Sequence, residues 1–139
     1  MSAQIPDSYR DLIDGKVVAT VATNNPNGQP QLSVVWYMYD GTHVHLNTTN
    51  DRQKDDNLRR DPHVSFLAID PTNPYRYMEI RGEVDEIIEG EAAVQSINAL
   101  AKKYVGVENY YGDFQPAEQR NKEQRVLYKI KPTKVIAQG

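Results

Sequence analysis

Between two Gly-containing turn sequences, Asn25-Pro26-Asn27-Gly28 and Asp40-Gly41, the chain passes through a stretch in which Leu32, Val34, Trp36 and Met38 alternate with Gln31, Ser33, Val35 and Tyr37. A period of two residues is the pattern of a strand, and Asn-Gly and Asp-Gly pairs supply the positive φ that tight hairpins require. Residues 16–24 (KVVATVATN), before the first turn, are rich in Val, Thr and small side chains, and Val44, Leu46 and Thr48 alternate after the second. Three antiparallel strands therefore follow one another, and such a meander has to hide its edges.

The remaining segments fit around these strands. A first helix starting at Pro6 or Asp7 ends at Asp14, with Gly15 placed for a left-handed C-cap. Residues 51–60 (DRQKDDNLRR) break the alternation, are charged throughout and stop before Asp61-Pro62, which predicts one short exposed helix. Val64, Phe66 and Ala68 alternate as a fourth strand, Pro71-Thr72-Asn73-Pro74 makes a rigid loop, and residues 75–88 read as a long strand bent at Gly82. Ala93, Ile97, Leu100, Ala101 and Tyr104 recur at helical spacing, with Gly106 beyond them. Residues 109–122 are polar and aromatic without period, Val126, Tyr128 and Ile130 form a last strand, and Pro132 separates it from residues 135–138. Six or so strands with short hairpin loops and few helices predict a mainly β, closed or nearly closed antiparallel barrel, with a β-sandwich as the competing architecture. A length of 139 residues suits a single domain over residues 1–139. Strands apolar on both faces call for an outer cover, which helices or a second copy of the chain would provide; a homodimer is the economical expectation.

Composition removes several classes of function. The absence of cysteine excludes disulfides, thiolate metal sites, iron–sulfur clusters and a cysteine nucleophile, and suits a reducing cytoplasm. Residues 32–39 are the longest membrane-like run, far short of the ~20 that span a bilayer, and the acidic N-terminus lacks the apolar region of a signal peptide. A net charge of −3 argues against nucleic acid as partner. An anionic ligand would have to be met locally.

The segment Asn47-Thr48-Thr49-Asn50-Asp51-Arg52-Gln53-Lys54 offers such a place, because a strand ending in two hydroxyls runs into a helix start that carries two cations. Free N–H groups, the positive end of the helix dipole and charged donors together suit phosphate. Ordinary capping by Asn50 or Asp51, with Arg52 and Lys54 in water, explains the same residues. His43 and His45 share one side of a strand, but no third ligand is spaced to join them, so no metal is assigned. Residues 74–82 place tyrosine rings and guanidiniums at the start of the long strand, where the rings suit a planar heterocycle, while Tyr77, Glu79 and Arg81 on one face suit cross-strand packing and ion pairs at a subunit interface. GxGxxG, P-loop, HExxH and GxSxG patterns are absent, and no Ser, His and Asp arrangement stands out.

Taken together, the opening helix, VATVATNNPNGQPQLSVVWYMYDG, TTNDRQKDDNLRRDPHVSF and PYRYMEIRGEV resemble the flavin- and deazaflavin-binding split β-barrel family related to pyridoxamine 5′-phosphate oxidase, over nearly the whole chain. The small deazaflavin-dependent reductases, whose cofactor is coenzyme F420, are the most similar group. The resemblance implies a dimeric split barrel in which Ser33, Val34, Val35 and Trp36 run along the cofactor ring. By the same resemblance Asn47, Thr48, Arg52, Gln53 and Lys54 are expected to hold its phosphate, and Tyr75, Arg76 and Tyr77 to reach the cleft from the dimer interface. It further implies hydride transfer from reduced F420 to a small conjugated organic substrate, with no dedicated catalytic side chain. FMN shares the phosphorylated ribityl chain, so an FMN-binding oxidase or reductase is the alternative, and a cofactor carrier without turnover is another. The substrate-binding tail of the phosphate oxidase itself is missing, which argues against vitamin oxidase activity. Arg52, Lys54, Arg59 and Arg60 on the short helix are expected to give the acidic tail of F420 a positive edge.

Overall fold

The computed structural model describes residues 2–139. Seven strands, β1 (Ala19–Asn24), β2 (Pro30–Val35), β3 (Met38–Tyr39), β4 (Val44–Thr49), β5 (His63–Asp70), β6 (Asn73–Glu89) and β7 (Arg125–Gln138), form one antiparallel sheet in the order β2-β1-β5-β6-β7-β4-β3. The edge strands β2 and β3 are joined through Trp36 and Tyr37 alone. Three Cα–Cα steps reach at most ~11 Å, whereas the edges of a flat seven-stranded sheet would stand roughly 29 Å apart at the usual strand spacing. The sheet therefore curls until its edges meet, and the expected barrel is a split one whose seam lies at Trp36 and Tyr37.

Inside the curl, Val21, Val44, Leu46, Phe66, Met78, Ile80, Tyr128 and Ile130 are buried, with Leu12 and Ile13 closing one end and Leu58 packed among them. Tyr37 is fully buried, stacks on Phe66 at 5.6 Å and donates its hydroxyl to the Leu12 carbonyl at 2.6 Å. Among the described residues three helices decorate the sheet, α1 (Asp11–Asp14), α2 (Gln53–Arg60) and α3 (Glu91–Val105), and Tyr110–Asp113 form a kinked turn. Helix α3 buries Ala93, Ile97, Leu100 and Ala101, as their spacing predicts, and ends at Gly106 in the left-handed region. Among the described residues no helix is long and apolar enough to cross a membrane.

The long strand β6 pairs with both β5 and β7 and changes register at Gly82, so the bend falls where glycine predicts it. A Cβ there would lie 2.7 Å from the Lys131 carbonyl oxygen and from Ile130 Cγ2, which is why no side chain is tolerated.

Several local expectations are corrected. The first helix divides into a 3-10 turn (Asp7–Tyr9) and α1, and Gly15 is extended with φ −82° instead of left-handed. Strand β1 starts at Ala19, not at residue 16. Alternation through Trp36 is interrupted, because the chain leaves one edge of the sheet for the other. Pro132 does not separate two segments: β7 is continuous through it, with Pro132 opposite Gly82 where the register shifts and a missing N–H is tolerated.

Candidate functional site

A cleft of about 280 Å³ opens at the seam of the barrel. Its polar end is built where β4 runs into α2. Asn47, Thr48 and Thr49 come from β4, Arg52 and Lys54 from the start of α2, and Arg125 from the first residue of β7, which pairs with Thr49. Arg52 is the N-cap of α2, and neither Asn50 nor Asp51 caps it by a side-chain bond, so the capping explanation of this segment does not hold. Asp51 instead accepts a hydrogen bond from the Thr49 hydroxyl at 2.5 Å.

Of the three cations only Lys54 has no carboxylate partner among the described residues; Asp51 feels the charges of Arg52 and Arg125, and Glu123 meets Arg125. Lys54 reaches the Ser33 hydroxyl at 3.0 Å. Burial first, and then repulsion from Arg52 and Arg125, holds Lys54 below the ordinary lysine range. Arg125 donates through Nε to Asn47 Oδ1 at 3.1 Å, stacks over the Tyr110 ring at 4.9 Å and meets Glu123 at 4.0 Å. Asn47 is itself fixed through its amide, which donates to the Ala93 carbonyl at 2.8 Å. Like charges gathered at a half-buried helix start raise the energy of the empty protein, and an anion relieves it.

The other end of the cleft is apolar. Val18, Val34, Val35, Trp36, Ile97, Leu100, Tyr110 and Phe114 line it. Trp36 meets Tyr110 edge-on at 6.3 Å and Phe114 at 5.6 Å. The segment bearing Tyr110 and Phe114 turns back at Gly112, whose φ of 105° admits a sharp reversal, and the Tyr111 hydroxyl donates to Glu123 at 2.5 Å, tying it to the start of β7. One cleft thus offers an anion site and a flat hydrophobic wall, the two features that a phosphorylated planar cofactor requires.

Of the residues singled out in the sequence, Val34, Val35, Trp36, Asn47, Thr48, Arg52 and Lys54 line this cleft, and Ser33 stands behind it on Lys54. Gln53 turns the other way, donating to Asn57 at 2.9 Å beside the Asn25–Asn27 turn. Tyr75, Arg76 and Tyr77 lie away from the cleft of their own chain. Arg76 pairs with Asp11 at 2.8 Å and Asp70 at 3.0 Å, Tyr77 bonds Gln138, and Tyr75 is 81% exposed. The positive edge expected from Arg59 and Arg60 is reduced: Arg59 is paired with Asp55 and Glu89, while Arg60 is tied to the neutral Asn24 carbonyl and Asn57. His43 and His45 pair with different carboxylates, Asp85 and Asp40, each at 2.8 Å. Sequence reasoning missed Arg125, Tyr110, Phe114 and Glu123, for which the aromatic content of residues 109–122 was the one available signal.

The model of the pyridoxamine 5′-phosphate oxidase family matches residues 5–139. Among solved structures, an F420 reductase is 31% identical with a TM-score of 0.80, covering 95% of this chain and 98% of that one. A conserved hypothetical protein from Mycobacterium tuberculosis is also 31% identical, with a TM-score of 0.75 and coverage of 99% and 86%. The heme storage protein HutZ from Vibrio cholerae, at 13% identity and a TM-score of 0.69 over 99% and 96%, shares the fold. With the family model spanning nearly its whole length and the seam cleft in place, the chain belongs to the pyridoxamine 5′-phosphate oxidase family.

Proposed function

We propose that this protein is an oxidoreductase that uses reduced coenzyme F420 to deliver hydride to a small conjugated organic substrate. The observation that carries the reading is the joining, in one cleft, of three cations, Arg52, Lys54 and Arg125, of which Lys54 is repelled by the other two, to a wall built on Trp36, Tyr110 and Phe114. The 31% identity to an F420 reductase over almost the full length of both chains supports it.

When bound, the deazaflavin supplies hydride from its own ring. The three cations then bind the phosphate, and Thr48 borders the same end of the cleft. Val35 and Trp36 orient the ring, while Tyr110 and Phe114 narrow the opening and exclude water. No side chain is assigned to proton transfer. A chain without cysteine suits the cytoplasm.

The test is a pair of titrations with F420 and FMN at low and high ionic strength. F420 is expected to bind more tightly than FMN, and both are expected to lose affinity with salt, because the cations that meet the phosphate are screened. Tighter binding of FMN at both salt concentrations would move the assignment to FMN, and binding of neither would overturn it.

The same reading includes a homodimer. Leu32 and Val34 are 65% and 68% exposed on β2, and Val34, Thr20 and Leu67 follow one another across β2, β1 and β5. An apolar stretch of this kind on an edge strand is covered in solution. Sedimentation at micromolar concentration is expected to show a dimer, and a stable folded monomer would exclude it.

A further inference from the structure

The sheet ladder fails at the seam. Trp36 and Tyr37 belong to no strand, so their backbone groups need partners elsewhere. For Tyr37, two consecutive side chains of α3 provide them. The Tyr104 hydroxyl donates to the Val17 carbonyl at 2.7 Å and accepts from the Tyr37 amide at 3.3 Å. The Lys103 ammonium donates to the Tyr37 carbonyl at 2.6 Å and to the Ile13 carbonyl, sitting 4.7 Å from the centre of the Tyr104 ring. Burial opposes this placement and lowers Lys103 to about 8 from an ordinary 10.5.

The consequence falls on Trp36. Tyr37 sends its side chain into the core, where Phe66 and the Leu12 carbonyl hold it, and Trp36 goes to the cleft. Its indole lies against the Tyr104 ring at 5.4 Å and only 5° from parallel. Tyr104 does not line the cleft itself. It backs the residue that does.

We propose that Tyr104 and Lys103 are positioning residues that brace the Trp36–Tyr37 crossing from behind and so set Trp36 as a fixed wall for the planar ring bound in the cleft. This rests on the cofactor reading above for the identity of the ring, but not for the brace, which exists in the ligand-free chain. Bracing from α3 also helps the edges of the barrel to meet without pairing: the helix, in place of a neighbouring strand, satisfies the Tyr37 backbone at the seam.

Trp36 is the only tryptophan in the chain, so its fluorescence reports the brace directly. Acrylamide quenching of the ligand-free protein is compared for wild type, Tyr104→Phe and Tyr104→Leu, together with the Kd for F420 and for inorganic pyrophosphate. Tyr104→Phe keeps the stacked ring and loses the tether, whereas Tyr104→Leu loses both. Quenching is expected to rise in that order, and F420 binding to weaken by roughly three- to tenfold in the leucine variant, the range of one stacked aromatic pair. Pyrophosphate binding, which reads the cation cluster alone, should not change. In a Trp36→Ala background Tyr104→Leu should cost F420 binding nothing further, because the residue through which it acts is gone. Unchanged quenching in Tyr104→Phe, parallel loss of pyrophosphate binding, or full additivity with Trp36→Ala would overturn the proposal. If the leucine variant does not fold, the comparison of wild type with Tyr104→Phe decides. A wild type that binds no F420 would overturn the cofactor reading, and the quenching series would still decide the brace.

Discussion

Replacing Lys54 and Arg125 together by alanine is expected to weaken F420 binding by roughly a hundred- to a thousandfold, and Lys54→Ala alone by roughly ten- to a hundredfold. A hydrogen bond to a charged group is worth about 1.5–3 kcal/mol, and the two contributions will not add fully because both cations act on one anion. Arg52 is more exposed than Lys54 and lies beside the Asp51 carboxylate, so its loss should fall at the low end. Stability separates this outcome from a general disturbance of the fold. Lys54 is repelled by Arg52 and Arg125 and accepts no carboxylate in return, so Lys54→Ala should unfold at the same denaturant concentration as wild type or higher. Binding sites that are strained for their ligand commonly behave in this way. Fluorescence titration and denaturant unfolding of the same samples check both halves, and an unchanged Kd in the double variant would reduce the segment to a solvated helix end.

The second large effect is expected from Asp55→Ala, which should lower stability by about 2–4 kcal/mol. Asp55 is a buried carboxylate in the first turn of α2, only 2% exposed, where it takes a hydrogen bond from the Tyr128 hydroxyl in the core and an ion pair from Arg59 at 3.0 Å. Removing it strands a fully buried hydroxyl and releases the helix end that carries Arg52 and Lys54. F420 affinity should therefore fall together with stability, the opposite signature from Lys54→Ala. Asp55→Asn retains an acceptor for Tyr128 and should lose less. Denaturant unfolding of the three proteins measures the difference, and a loss in Asp55→Ala below about 0.5 kcal/mol, the level of an ordinary surface change, would mean that α2 is held by its apolar contacts alone.

Much of the architecture was legible in local pattern. The alternation from Gln31 to Val35, the Asn-Gly and Asp-Gly turns, the helical spacing from Ala93 to Tyr104 and the register change at Gly82 each depend on residues within a few positions of one another. The segment from Asn47 to Lys54 was legible for the same reason: a strand end, a helix start and two cations are adjacent in the chain. Where local reading erred, the tertiary structure supplied a stronger partner. Arg59 and Arg60 looked like a free positive edge, but Asp55, Glu89 and the Asn24 carbonyl claim them.

By itself the sequence determined a mainly β chain of hairpins with one amphipathic helix and one charged helix start, because period, turn chemistry and capping act over a few residues. Only the tertiary structure decided that β7 lies between β6 and β4, which is what brings Arg125 beside Thr49 and adds the third cation to the site. It also decided that β2 and β3 occupy opposite edges, so that the sheet curls, its seam falls at Trp36, and α3 takes over the unpaired backbone with Tyr104 and Lys103. Strand order is set by burial summed over the whole chain, and no short window of residues carries that sum.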